Sequence, residues 1–289
     1  MLQNARKIAF QGAKGAYSDL ACRTMYPAME TVPCATFEDA FNAVRENVAD
    51  LAMIPIDNTL AGRVADVHHL MPKGDLFIIG EYFQPIQHHL LGIKGAKKED
   101  IKHVYSHIHA IPQCRNMIQR LGLKTHIHAD TAGAAEKISL DKDKTCAAIA
   151  SELAAQIYDL DILEKDVQDA KHNTTRFVIL APEPNVPKFE EDGDFLTSLL
   201  FEVRNIPAAL YKSLGGFATN NLSLAKLESY IDPNFQGAQF YCEVEGHPES
   251  PAFRLALEEL GFYAKDVKFL GAYNAHELRK TYRKNQGEF

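Results

Sequence analysis

The densest concentration of potential chemistry in the chain is Asn173-Thr174-Thr175-Arg176-Phe177, which runs straight into Val178-Ile179-Leu180. Two hydroxyls, an amide and a fixed cation stand where a loop enters a β-branched apolar run, the pattern of the mouth of a buried strand. In open α/β sheets ligands gather in loop crevices near strand ends, so polar groups crowded there point to a binding or catalytic site. The competing reading is a strand start that favours threonine, with Arg176 as a solvated flank. Further neutral donors recur at other loop edges, namely Asn58, Thr59, Ser106 and Gln113. Together with Arg176 they could polarise an anionic organic substrate with little proton chemistry.

Other chemistries find less support. His103, His107 and His109 on one segment and His126 and His128 on another invite a metal reading, since alternate strand residues share a face. No His-Glu-x-x-His or Cys/His ligand set accompanies them, and no metal is expected. No Gly-x-Ser-x-Gly elbow is present, so covalent hydrolysis is unsupported. Gly12-Ala13-Lys14-Gly15, after a strand and before a helix, lacks the third glycine of a dinucleotide fingerprint and the Lys-Ser/Thr of a phosphate loop. It reads as a tight turn with at most a carboxylate nearby.

Composition bounds the rest. The 289 residues suffice for a full core and two domains, and 46% hydrophobic with 24% charged residues is an ordinary globular mix. A net charge of −7 argues against a partner whose phosphate backbone needs clustered Lys and Arg. Five scattered cysteines suit buried thiols in a reducing compartment, and no apolar run approaches a bilayer span. The expected location is the cytoplasm, with neither nucleic acid nor membrane as partner.

The elements that must position these groups follow from periodicity. Strands over Lys7 to Gln11, Thr31 to Ala35 and Ala49 to Ile56 alternate with helices from Ala16, from Phe37 with Thr36 as cap, and from Gly62 through Leu70. That βαβαβα order predicts a parallel sheet with Asn58 and Thr59 at a strand's carboxyl end. Phe77 to Phe83 and Ile86 to Gly92, separated by Pro85, suggest a crossover into a second α/β lobe spanning about 84–170. There Lys102 to Ser106, Lys124 to His128 and Thr145 to Ala150 are strands. The chain returns through 173–180, so two lobes enclose a cleft. The expected catalytic domain is 1–182. Proline and acidic residues over 181–194 make a linker. Residues 195–275 then read βαββαβ, the ferredoxin-like pattern of a small regulatory module.

The Asn-Thr-Thr-Arg-Phe run resembles the Thr-Arg-Phe signature of prephenate dehydratases, enzymes that convert prephenate to phenylpyruvate on the way to phenylalanine. Three further stretches resemble the same family in the same order: Ala9-Phe10-Gln11-Gly12 with Gly15-Ala16-Tyr17-Ser18, Ile54-Pro55-Ile56-Asp57-Asn58-Thr59 with Gly62, and Tyr105-Ser106-His107 with Gln113-Cys114. Lys226-Leu227-Glu228-Ser229 stands where the family's ACT domain has its Glu-Ser regulatory motif. Departures occur: Asp57 and Thr59 replace the usual Glu and Ser, and His109 a common Gln. Ala208-Ala209-Leu210 replaces Gly-Ala-Leu, Ser223 an Asn, and Tyr230-Ile231 Arg-Pro.

The resemblance implies a periplasmic-binding-protein-like, two-lobed α/β catalytic domain, of the type without a chorismate mutase domain, followed by an ACT domain. It implies Thr175, Asn58 and Gln113 as catalytic residues, and Arg176, Asn173, Thr174, Thr59, Ser106 and Ser18 as substrate-binding ones. Ala208, Ala209, Leu210, Asn221, Leu222, Ser223, Glu228 and Ser229 would form an allosteric site for L-phenylalanine. No cofactor is implied, and a homodimer or homotetramer is expected. In this reading Thr175 donates to the departing ring hydroxyl. Arg176 would grip the pyruvyl carboxylate, because holding the ring carboxylate, whose charge disappears, would favour the ground state. Two alternatives stay open, an arogenate dehydratase and a non-catalytic two-lobed amino-acid sensor.

Overall fold

The computed structural model describes residues 5–68, 70–71, 75–231 and 238–286. Its chain falls into two compact units, one formed by 1–74 with 82–178 and the other by 75–81 with 179–289.

The first lobe is built from β1 (Lys7–Gln11), α1 (Tyr17–Met25), β2 (Glu30–Cys34), α2 (Phe37–Arg45), β3 (Leu51–Asn58), β4 (Gly62–Arg63), α3 (Ala65–His68) and β5 (Phe77–Pro85). The chain then crosses to a second lobe containing β6 (His89–Ile93), β7 (His103–His107), α4 (Arg115–Leu121), β8 (Lys124–His128), α5 (Thr131–Asp141), β9 (Cys146–Ala150), α6 (Glu152–Ile157) and β10 (Leu160–Glu164). It returns as β11 (Thr174–Ala181), which enters the first sheet between β3 and β5 in the order β2-β1-β3-β11-β5. The second sheet runs β10-β6-β9-β7-β8. Residues 51–56 of β3 are all buried, as a continuous apolar run should be when helices cover both faces of a central strand. Thr36 caps α2 as the sequence predicts, and Asp39 returns a bond to the Thr36 amide to complete a reciprocal capping box.

The parallel expectation holds only in part. β1 pairs parallel with β2 and β3, but β4 folds back antiparallel on β3, pairing Asn58 with Gly62. Gly62, at φ +77°, permits that reversal, so the helix expected from Gly62 through Leu70 shrinks to the single turn of α3, with residue 69 outside the described residues. The second sheet is mixed, with β6 antiparallel to both β9 and β10. The Gly12–Gly15 turn serves packing: Gly15, at φ +89°, lies so close to α6 that an added Cβ would stand 2.9 Å from the Ala154 Cα. Ser151 and Tyr158 donate hydrogen bonds to the carbonyls of Gly15 and Lys14.

The second unit contains β12 (Phe195–Val203), α7 (Ala209–Thr219), β13 (Leu224–Ile231), β14 (Ala238–Glu245), α8 (Pro251–Tyr263), β15 (Ala264–Asn274) and α9 (Glu277–Gln286). This is the βαββαβ order with sheet order β13-β14-β12-β15, followed by a helix that the sequence reading did not anticipate. Gly237, expected to start the third strand, lies outside the described residues. Phe201, Phe217, Phe253 and Leu260 carry the core between sheet and helices. Glu81, buried, receives two hydrogen bonds from the Arg279 guanidinium, which ties α9 to the segment 75–81.

Ala208 holds the cap of α7 in the left-handed region, at φ 59° and ψ 26°, where the resemblance expects glycine. The strain there exceeds the extra unfolded-state entropy of glycine by roughly 0.5 kcal/mol. Ala208→Gly should therefore raise the thermal midpoint of this unit by about 2–4 °C. A lowered midpoint in a thermal melt would contradict the strain.

Candidate active site

A cleft of about 240 Å³ lies between the two lobes of the first unit. The first sheet contributes Asn58 at the end of β3 and Thr175 and Phe177 on β11, while the second lobe contributes His107, His109, Gln113 and Thr131. Tyr17 and Ser18 open α1 on the cleft, and Ile86, His88 and Asn173 come from the two crossover segments. Those crossovers are joined to each other: the Ile86 amide donates to the Asn173 carbonyl, and the Val167 amide to that of His88.

The polar side chains form one directed hydrogen-bonded series. The amides of Leu60 and Ala61 donate to Asn58 Oδ1 at 2.9 and 2.8 Å, which turns Asn58 Nδ2 toward the cleft residues. That nitrogen donates to Thr175 Oγ1 at 2.9 Å and to Asn173 Oδ1 at 2.8 Å. Asn173 Nδ2 in turn donates to Gln113 Oε1 at 2.7 Å. Thr175 therefore receives a hydrogen bond from Asn58 and keeps its own proton to give. Gln113 likewise has its oxygen engaged and its NH₂ group left to offer.

No Lys, Arg, Asp or Glu is among the described residues lining the cleft. The first turns of α1 and α5 reach the cleft with Ser18 and Thr131, and each already holds a carboxylate, Asp19 accepting from the Gly15 amide and Asp130 from the Gly133 amide. Burial lowers the pKa of His88 to about 4 against the opposing hydrogen bond to Gln113, so the ring is neutral near pH 7. Burial also pushes Tyr17 well above the ordinary phenol value and lowers His107, the latter with help from His109.

Of the residues expected at a site, Thr175, Asn58, Gln113, Asn173 and Ser18 converge on this cleft. Arg176 does not line it. Successive strand residues face opposite sides, so with Thr175 and Phe177 in the cleft Arg176 is buried behind β11, its Nη1 3.6 Å from Asp57 Oδ2. The expected grip on a substrate carboxylate gains no support from this placement. Thr59 is also structural: its hydroxyl donates to the His172 carbonyl and accepts from the Thr174 amide. Thr174 contributes its backbone to the same pairing and does not line the cleft. Ser106 is fully buried and donates to the Ile149 carbonyl at 2.7 Å.

The sequence reading missed Tyr17, His88 and Thr131 as lining groups. His88 was hidden because Ile86 to Gly92 reads as one strand, whereas residues 86–88 are the crossover itself. Among the other histidines, His103 and His126 engage each other at 3.0 Å on β7 and β8, and Tyr105 stacks on His126.

Comparison with known proteins bears on this site. A family model described as prephenate dehydratase matches residues 8–185. A bifunctional N-acyl-homoserine lactone acylase/prephenate dehydratase of Komagataeibacter europaeus is 46% identical over 280 residues, covering 96% of this chain and 99% of that protein. The arogenate dehydratase/prephenate dehydratase 1 of Arabidopsis thaliana is 38% identical over 92% of this chain and 71% of its own. A crystal structure of a prephenate dehydratase from Arthrobacter aurescens in complex with L-Phe superposes with a TM-score of 0.85 at 27% identity, covering 93% of this chain and 90% of that one.

Proposed function

The chain belongs to the prephenate dehydratase family, and we propose that it converts prephenate to phenylpyruvate in L-phenylalanine biosynthesis with Thr175 as the donor to the departing hydroxyl. The reaction takes up one proton and releases water and CO₂ as the ring becomes aromatic. Aromatisation supplies the drive, and the poor leaving group is the obstacle. What carries the assignment of roles is the Asn58 bond to Thr175: because Asn58 can only donate there, the threonine proton is free to meet the developing negative charge on the leaving oxygen. A threonine hydroxyl is too weak an acid for full transfer on its own, so its role is donation or relay.

Gln113 adds a second donor through its NH₂ group. The two substrate carboxylates meet neutral donors, the Ser18 and Thr131 hydroxyls at the starts of α1 and α5, in place of the arginine grip expected from sequence. Neutral donors suit a ring carboxylate that must shed its charge. Arg176 becomes a positioning residue that holds β11 against Asp57 of β3. Arg176→Lys should accordingly lower the thermal midpoint and leave the Michaelis constant for prephenate nearly unchanged. A several-fold rise in that constant at unaltered stability would return Arg176 to the substrate.

The cleft also bears on the alternative substrate. Arogenate carries an ammonium where prephenate has a ketone, and an ammonium seeks a carboxylate that is missing among the described lining residues. The deciding experiment follows ultraviolet formation of phenylpyruvate from prephenate, with arogenate as competitor and with or without L-phenylalanine. Absence of phenylpyruvate would sink the proposal.

Inhibition by phenylalanine at the ACT domain belongs to the same reading and is supported by the L-Phe complex of the Arthrobacter relative. Ala208, Ala209, Leu210, Asn221, Leu222, Ser223, Glu228 and Ser229 are the proposed contacts. Tyr211, Leu255 and Phe262, exposed on α7 and α8, support a homo-oligomer in which these apolar side chains are covered. Five free cysteines support a cytoplasmic setting.

A further inference from the structure

We propose that His88 is a positioning residue of the cleft, held as the tautomer that carries its proton on Nε2, so that Gln113 presents its NH₂ group and not its carbonyl to the substrate. Two groups here cannot be turned round, the backbone amides of Leu60 and Ala61. Their donation to Asn58 Oδ1 fixes the Asn58 amide. Asn58 Nδ2 then requires an acceptor at 2.8 Å, which fixes Asn173 with Oδ1 toward Asn58 and Nδ2 toward Gln113. Asn173 Nδ2 requires an acceptor in turn, which fixes Gln113 Oε1 at 2.7 Å.

That same oxygen lies 3.0 Å from His88 Nε2. A carbonyl oxygen accepts only, so Nε2 must bear hydrogen. His88 Nδ1 is left as an acceptor 2.8 Å from the Tyr17 hydroxyl, whose one proton it shares with the Gln87 carbonyl at 2.7 Å, so the tautomer is set from the Gln113 side of the ring. Burial keeps that phenol protonated. Orientations that are ordinarily a matter of choice are thus set in sequence by two main-chain N–H groups, and the series ends on the ring. A donor on Gln113 Oε1 also polarises the amide and strengthens its N–H toward substrate. The catalytic part of this inference rests on the dehydratase reading above, whereas the tautomer does not.

Two measurements on the full chain test it. With nitrogen-15-labelled histidine, the His88 ring, assigned by its loss in His88→Gln, should show a pyrrole-type Nε2 and a pyridine-type Nδ1 at neutral pH. Asn58→Ala, which cuts the series at its anchor, should mix the two tautomers, an effect that mere packing would not produce. In kinetics, His88→Leu should lower kcat for prephenate on the order of 10-fold with the Michaelis constant within about 3-fold. His88→Gln, which can place a donor near the same oxygen, should restore most of it. A proton on Nδ1, a mixed tautomer in the unaltered protein, or full kcat in His88→Leu would overturn the inference. Should His88→Leu fail to fold, the spectrum of the unaltered protein still decides. An expected tautomer in a protein that does not turn over prephenate would sink the dehydratase reading instead, and leave the ring assignment standing.

Discussion

Thr175→Val should lose on the order of 10²-fold or more in turnover, the magnitude associated with removing one donor from a developing oxyanion. Valine matches threonine in shape, so the cleft keeps its volume while the proton aimed at the leaving oxygen disappears. The substitution also strips Asn58 Nδ2 of one acceptor, although Asn173 Oδ1 remains for it. Thr175→Ser retains the hydroxyl and should keep appreciable activity, with some loss because serine lacks the methyl group that restricts the rotamer. The loss in valine should fall on kcat more than on the Michaelis constant, since the interaction strengthens only as the carbon–oxygen bond breaks. Equal turnover in Thr175→Val and the unaltered enzyme would remove the donor role altogether.

Acid should destabilise the first unit well before its carboxylates titrate. His88 has its pKa lowered by burial from the ordinary 6.5 to about 4. Between those values the unfolded chain binds a proton that the folded chain refuses, so stability is full above pH 6.5 and declines as pH falls toward 4. The difference corresponds to roughly 3 kcal/mol from this one ring. His89 and His107, also lowered by burial, act in the same direction. Against a typical domain stability of about 5–15 kcal/mol, such a loss is large. Denaturant midpoints of the unaltered protein and His88→Gln, compared at pH 7 and pH 4.5, check this. The variant should lose distinctly less on acidification, and parallel losses would exclude His88 as the source.

Much of this architecture could be read before any coordinates. Apolar runs and turn residues mark β1, β3, β11 and the βαββαβ order of the C-terminal unit, and the Thr36 cap follows from residue type alone. What escaped did so for physical reasons. β4 has two residues and no periodicity, and its existence depends on Gly62 turning the chain back onto β3. Helix α9 is highly polar, and its attachment through Glu81 spans 198 residues of chain.

The site was legible unevenly as well. Asn173 and Thr175 announce themselves at a strand mouth, whereas Asn58 and Gln113 showed only as neutral donors at loop edges and took their catalytic roles from the family resemblance, since their bonds to β11 and its approach span 117 and 60 residues. Arg176 is the opposite case: strand alternation turns it away from the face that Thr175 presents to the cleft, whereas the attraction of a cation for a carboxylate drew it into the expected site. His88 could not have been singled out, because its importance lies in which atom its neighbour turns toward it.

Asn173 and His88 sit on the two strands of chain that connect the lobes, and those strands bond to each other beside the reacting groups. Any swing of one lobe on the other must pivot through the residues that aim the donors. A gaping enzyme would then carry a misaligned Gln113, while Asn58 and Thr175, on neighbouring strands of one sheet, would keep their bond. Closure then completes the donor set by bringing the Gln113 amide into line with a threonine that is already aimed.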